Sequence, residues 1–378
     1  MSNGFADGPA QALRDHLVGK GATVITVFHP LVREGGKRHE ICRYEHGTMV
    51  RSRSPSFPVG PPLSFALDPF VPLRLPRVDT WFGFNSLACA RGLLARRAGR
   101  ARTVVQWCVD FVPDRFGRNP LTALYDAVDR QCCTKADLRV EMSEAAREGR
   151  DARHHLSGPL APTLVVPMGA WISRAPTTDA SSFKRRQVVY MGHLVPRQGV
   201  QTLLEAIRVL RDRGSNVTAH IVGGGPLEST LRREASLLGL HEAVRFHGFV
   251  PDHRLVERLL ADASVAVAPY LPAPDSFTRF ADPGKLKAYL AAGLPILLTD
   301  VPPNARELAA RAGAEIVESD PLRLADGIER VLADADVWSV RREAALSYAR
   351  RFDWEALLPP VLTAVCLGEP RASSETPR

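Results

Sequence analysis

Asp282-Pro-Gly-Lys285-Leu-Lys287-Ala-Tyr289-Leu-Ala-Ala-Gly293-Leu-Pro295-Ile-Leu-Leu-Thr-Asp300 reads as a turn, a short helix and a buried strand. Pro283 and Gly284 form the turn. Residues 285–292 carry Leu286, Tyr289 and Leu290 on one helical face, Gly293 ends that helix, and 295–299 follow as a strand. A helix that begins at a Pro-Gly turn points unpaired backbone N–H groups and a partial positive charge at whatever lies ahead of it. With Lys285 beside them, those groups suit an anion such as a diphosphate. Taken alone, the stretch fits an ordinary helix–strand unit with solvated lysines equally well.

The sequence upstream repeats the unit. Residues 187–191 are a strand, 192–199 a loop, and 200–213 a helix with Leu203, Leu204, Ile207 and Leu210 inward. Strands at 217–222, 244–248, 265–269 and 315–317 alternate with helices, and Gly223-Gly224-Gly225-Pro226 opens one of them. Such alternation predicts a doubly wound parallel sheet. Three glycine turns, 192–199, 223–226 and 283–284, then fall on one sheet edge, where backbone N–H groups can approach phosphate oxygens. Arg197 and Lys285 supply charge there.

The first half is less regular. Residues 2–8 read as a loop and 9–19 as a helix with Pro9 at its start, followed by a strand at 23–28. A nucleotide-type domain opens with a strand, so the first, normally central strand is expected to be missing and the true start to lie upstream. Residues 29–76 resist assignment, and their Pro-rich apolar run 57–76 fits either irregular packing or contact with a lipid surface. Strands follow at 78–84, 103–109, 138–142 and 163–167. Asp110 ends one of them, where α/β ligand crevices form, although a loop-capping Asp fits as well. A polar stretch at 174–186 suggests the domain junction. The expected division is 1–172 and 173–351, then a helix at 352–368 returning to the first domain and a disordered tail at 369–378.

With 378 residues, 45% hydrophobic and 24% charged, the chain has the composition of a soluble two-domain protein, and it lacks a run long enough to span a bilayer. Six cysteines without metal-ligand spacing read as reduced thiols. Without a basic segment leading into an apolar core at the N-terminus, a cytoplasmic location is expected. The net charge of +8 lies wholly in residues 1–175, with 24 Lys+Arg against 16 Asp+Glu, while 176–378 balance. The excess fits a phosphorylated ligand or a membrane surface, or only an arginine-rich composition. It lacks the interleaved aromatics and modules of nucleic-acid binders.

Tyr190-Met-Gly192-His-Leu-Val-Pro-Arg197-Gln-Gly199, Val222-Gly-Gly-Gly-Pro226, Phe246-His-Gly248, the 282–295 stretch and Phe352-Asp-Trp354 together resemble the family 4 retaining glycosyltransferases of the GT-B fold. In the first half the resemblance is thinner, resting on Asp7-Gly8-Pro9 and on Asp110-Phe-Val-Pro113 with Arg115-Phe116. It implies two Rossmann-like doubly wound domains facing a cleft and transfer of a hexosyl group from a nucleotide diphosphate sugar with retention. No metal or other cofactor is implied, and the sequence shows no cluster of metal ligands. The resemblance places Gly192, His193, Arg197, Gly223, Gly224, Gly225, Asp282, Gly284 and Lys285 at the donor. Arg197 and Lys285 meet the diphosphate, the first loop (Gly4, Asp7, Gly8) approaches phosphate and acceptor, and Asp110 faces the acceptor.

The family usually carries two glutamates for the donor sugar and ribose, but the matching positions here are Phe280 and Ala288. Asp275 or Asp282 then becomes a candidate for the sugar hydroxyls, with a solvated loop carboxylate as the alternative for either. A branch whose helix begins Pro-Gly-Lys resembles the stretch better. The substitutions also motivate a second reading, an inactive member serving as a binding or scaffold partner. A sugar-nucleotide epimerase, the third, needs carboxylates that the sequence does not place. The basic first half, Arg96-Arg97 and the apolar run fit a lipid-linked or membrane-surface acceptor.

Overall fold

The computed structural model describes residues 1–3, 7–30, 38–56, 60, 65, 68, 76–157, 160–272 and 277–367. Gly4, Asp275, most of the 57–76 run and the tail lie outside the described residues. Contacts divide the chain into two compact units, Met1–Pro167 with the segment from Glu355 onward, and Met168–Trp354. The division at Pro167 precedes the polar stretch at which the sequence suggests a junction.

The N-terminal unit runs β1 (Ser2–Asn3), α1 (Pro9–Gly19), β2 (Val24–His29), β3 (Glu40–Glu45), β4 (Thr48–Arg53), β5 (Val78–Gly83), α2 (Ser86–Arg97), β6 (Ala101–Cys108), α3 (Pro120–Lys135), β7 (Leu138–Glu141), α4 (Glu144–His154) and β8 (Thr163–Val165). Strands β5 to β8 form a parallel sheet in chain order. Val104, Val105 and Trp107 of β6 are buried although they alternate in direction, so both sheet faces are covered.

The expected absence of the first strand is corrected here. β1 pairs parallel with β2. On the other side, the Met1 ammonium donates to the Phe82 carbonyl at 2.9 Å and Phe84 N–H donates to the Met1 carbonyl at 3.0 Å. Met1–Asn3 thus stand in the central place between β2 and β5. Two residues are too short for a period-2 pattern to show in sequence.

The unassigned stretch after β2 contains an antiparallel hairpin, β3 with β4, added to β2. Its turn is His46-Gly47, both at positive φ (48° and 81°), the twist that two-residue hairpins need. His-Gly lacks the usual Asn-Gly or Asp-Gly signature. Every β4 residue is exposed, and Arg51 and Arg53 charge this edge against pairing with other chains.

The C-terminal unit contains α5 (Ala180–Lys184), β9 (Gln187–Met191), α6 (Val200–Asp212), β10 (Thr218–Val222), α7 (Glu228–Leu237), β11 (Val244–Gly248), α8 (His253–Ala261), β12 (Val265–Ala268), α9 (Gly284–Ala291), β13 (Ile296–Leu298), α10 (Ala305–Arg311), β14 (Glu315–Ile316), α11 (Pro321–Val331) and α12 (Ala335–Ala349). A last helix, α13 (Trp354–Leu367), follows. All six strands are parallel, in the order β11-β10-β9-β12-β13-β14. Leu203, Leu204, Ile207 and Leu210 of α6 are fully buried on the sheet, as their spacing predicts. Val188 and Tyr190 face one core, and Val189 faces the other. Chain order runs outward from β9 through β10 to β11, then resumes on the opposite side at β12. The crevice beyond the C-terminal ends of β9 and β12 is therefore a topological switch point, the default ligand position in such sheets.

Candidate anion-binding site

Three loops meet at that switch point. The loop after β9 touches the loop after β10, because Gly192 N–H donates to the Val222 carbonyl at 2.9 Å and Leu194 N–H to the Gly224 carbonyl at 3.0 Å. His193 is exposed, and its Nδ1 lies 2.9 Å from the Gly224 carbonyl, fastening the same two loops. Gly225 accepts from Glu228 N–H at the start of α7. On the other side, the β9 loop meets the segment after β12, with Leu271 N–H donating 3.0 Å to the Arg197 carbonyl.

Glycine is required where the loops cross. Gly223 has φ +135°, and a Cβ there would lie 2.0 Å from the Gly192 carbonyl oxygen. Gly192 has φ +149°, and its Cβ would lie 2.7 Å from Lys285 Nζ. Both conformations are closed to other residues, and both approaches are too close for a side chain.

Lys285 enters this crevice from the first turn of α9, whose N-cap, Pro283, offers no side-chain cap. It is half-buried, and its Nζ donates to Gln198 Oε1 at 2.6 Å and to Tyr190 Oη at 3.2 Å. The ammonium sits over the rings of Tyr190 (4.2 Å) and Tyr270 (5.0 Å). Among the described residues, none of its partners is a carboxylate. Burial pulls its pKa down to about 7. Tyr270, whose buried hydroxyl finds no hydrogen-bond partner among the described residues, has its own pKa raised by burial. Tyr289 is a support: its hydroxyl accepts from Met191 N–H at 2.7 Å and donates to the Val267 carbonyl at 3.3 Å, pinning β9 where Gly192 begins.

Asp282 is tied into the protein on both oxygens. Its Oδ2 accepts from Met168 N–H at 2.7 Å, and its Oδ1 takes Lys287 Nζ and Asn304 Nδ2. Both oxygens of this buried carboxylate already accept hydrogen bonds within the protein. Arg197 lies on the 3-10 turn Pro196–Gln198, one residue before the glutamine that reaches Lys285. Ala288 is half-buried against the second core of this unit. Gly284 opens α9, and Met168 packs near its backbone.

The remaining candidates belong to the N-terminal unit. Gly8 caps α1 with its carbonyl, accepting Ala12 N–H at 2.9 Å, and Asp7 is exposed just ahead of it. Asp110 pairs with Arg115, and its carbonyl accepts from Arg150 Nη2 at 2.7 Å. Behind it lies a buried network that sequence spacing does not reveal. Arg150 pairs with Asp129 and, at 2.8 Å, with Glu141, while His154 Nε2 is 2.7 Å from Asp129. Burial alone would raise the Asp129 carboxyl, but Arg150, His154 and Ser86 hold it well below the usual range. His29, His39 and Asp68, remote in sequence, converge in this unit. Burial lowers His29 to about 3 and raises Asp68 to about 6.

Residues 185–334 match the profile of the family described as "Glycosyl transferases group 1". The chain is 32% identical over 204 residues to a GDP-mannose-dependent alpha-(1-6)-phosphatidylinositol monomannoside mannosyltransferase of Mycolicibacterium smegmatis, covering 50% of this chain and 51% of that one. It spans about half the length of the curated relatives it matches. Sucrose-phosphate synthase from Thermosynechococcus elongatus superposes with a TM-score of 0.67 at 17% identity, covering 96% of this chain and 93% of that one. HepE from Anabaena in complex with UDP superposes with a TM-score of 0.60 at 20% identity, covering 76% and 78%. The fold class is thus GT-B, with Rossmann-like parallel-sheet domains. Among the described residues, no helix is long and apolar enough to cross a membrane.

Proposed function

We propose that this protein is a glycosyltransferase that moves a hexosyl group from a nucleotide diphosphate sugar to an acceptor with retention of anomeric configuration, acting in glycan or glycolipid synthesis. The observation that carries this reading is the setting of Lys285. A cation held at the sheet switch point by an amide oxygen, a hydroxyl and two rings, and framed by crossing glycine loops, is prepared for an incoming anion. The group 1 match covers these loops, and the solved relative in complex with UDP supports a nucleotide donor.

In this reading the diphosphate lies against Lys285, the start of α9 and the backbone of Gly192 and Gly223–Gly225, with Arg197 as a second cation. As the anomeric bond to the diphosphate lengthens, negative charge collects on the leaving oxygens. Lys285 and the fixed N–H dipoles stabilise that charge without reorganising. The sugar becomes oxocarbenium-like, and the acceptor hydroxyl oxygen adds on the face the diphosphate leaves, its proton passing to the departing diphosphate oxygen. The resident groups perform this without a metal. Asp110 and the first loop, at the C-terminal ends of the N-terminal strands, are assigned to the acceptor.

The mannosyltransferase relative, named for GDP-mannose and a phosphatidylinositol mannoside, supports GDP-mannose as the first donor to test and a lipid-linked acceptor. The basic excess of residues 1–175 agrees with a peripheral location. The reading as an inactive scaffold draws no support from relatives named as enzymes. The test is calorimetric binding of GDP-mannose, UDP-glucose and their diphosphates, with slow donor hydrolysis as a second readout. Micromolar binding of at least one donor is expected, and absence of binding by all of them overturns the proposal.

A further inference from the structure

We infer that His29, His39 and Asp68 form a structural zinc site in the N-terminal unit, independent of the transfer chemistry above. The hairpin register brings the histidines together. Phe28 of β2 is paired with Glu40 of β3, so the next cross-strand pair is His29 with His39. Their Nδ1 atoms are 2.8 Å apart. Asp68 comes from far along the chain and presents Oδ1 to both, at 3.6 Å from His29 Nδ1 and 3.8 Å from His39 Nδ1.

These three distances define a triangle, and a point in its plane lies about 2.0 Å from every corner. That is the bond length zinc takes to imidazole nitrogen and carboxylate oxygen. Spreading the two imidazoles by about 0.5 Å would turn the planar arrangement towards the tetrahedral one.

Hydrogen bonding without a metal serves the cluster poorly. One proton can bridge the two Nδ1 atoms, but Asp68 Oδ1 then remains a buried carboxylate oxygen with no donor among the described residues. A zinc ion satisfies that oxygen and both nitrogens at once. The carboxylate is held in place for the purpose. Asn3 Nδ2 donates to Asp68 Oδ2 at 2.9 Å, Asn85 Nδ2 donates to Asn3 Oδ1 at 2.7 Å, and Asn85 Oδ1 accepts Ala88 N–H at the start of α2. The ligands are 0%, 1% and 2% exposed, a setting for a metal that fastens structure and takes no substrate. Two imidazoles and a carboxylate suit zinc better than magnesium or calcium, which prefer all-oxygen shells. The ion would tie His29 at the end of β2 and His39 just before β3 to Asp68, which Asn3 of β1 holds.

The test uses the full chain without a polyhistidine tag, stripped with a chelator and titrated with zinc by calorimetry, with metal content measured after desalting. One zinc per chain is expected, with a rise in melting temperature on loading. Cobalt in its place should give the visible absorption of a four-coordinate N/O site, the three side chains being joined by one water. Asp68→Asn and His29→Ala should each weaken zinc binding by about 100-fold. His220→Ala, removing a histidine pair of the C-terminal unit that lies 3.1 Å apart, should leave it unchanged. Substoichiometric zinc in the wild-type chain, a colourless cobalt form, or full retention by folded Asp68→Asn overturns the assignment.

Discussion

The two units bury charge in opposite ways. In the N-terminal unit, Arg150, Asp129, Glu141 and His154 are all nearly inaccessible, and each is paired with another of the set. In the C-terminal unit, Lys285 is given rings, a hydroxyl and an amide oxygen. Two residues on, Lys287 shows the ordinary solution within the same helix, a buried ion pair with Asp282. A buried cation with its own carboxylate is architecture, because its charge is already answered. A cation answered only by dipoles keeps most of its electrostatic potential for a ligand, at a cost to stability.

The largest expected effect tests the architectural half of this contrast. Arg150→Ala takes from Asp129 and Glu141 the cation they share, leaving only His154 beside the one and Arg139 at 3.6 Å from the other, and should destabilise the N-terminal unit by about 3–5 kcal/mol. Chemical denaturation followed unit by unit checks it, and the C-terminal transition should stay in place. Next, Lys285→Met should lower diphosphate affinity and turnover on the order of 10²–10³-fold. The same variant should melt no lower than the parent, since it removes a desolvated charge. A large loss of stability would mean that Lys285 is structural. Gly223→Ala drives a Cβ against the Gly192 carbonyl at a strained φ, costing about 1–3 kcal/mol and weakening nucleotide binding. Smallest, Tyr289→Phe removes the acceptor of Met191 N–H and should cost about 1 kcal/mol in thermal unfolding.

The C-terminal unit was legible because its information is local. Apolar periods of 3.6 and 2 and glycines at strand ends are written in consecutive residues, and the parallel sheet follows from their alternation. In the N-terminal unit β2 and β5 to β8 were legible in the same way, but other parts rest on what sequence spacing hides. β1 is two residues long, the β3–β4 hairpin turns on His-Gly, and the charge network joins residues 129, 141, 150 and 154 from three elements. The same reason explains Asp282. Beside Pro-Gly-Lys it resembled a ligand residue, and its partners in the fold are Asn304, Met168 N–H and the lysine five positions on. Lys285 could be singled out in sequence, whereas its ring cage required Tyr190 and Tyr270 from two other strand ends.

The central claim is that Lys285 answers the donor's diphosphate, and its pKa provides the direct test. In the free protein burial holds that pKa near 7, below the ordinary 10.5, so the amine is partly neutral at neutral pH. A bound diphosphate would raise it again. Affinity should therefore be full below about pH 7 and decline as pH rises towards the higher value in the complex. Calorimetry of nucleoside diphosphate binding at pH 8, in two buffers of different ionisation enthalpy, measures the proton taken up. The account predicts uptake of most of one proton by the wild-type chain and less in Lys285→Arg, whose guanidinium stays charged throughout. Equal uptake by the two proteins, or none by the wild type, would contradict it.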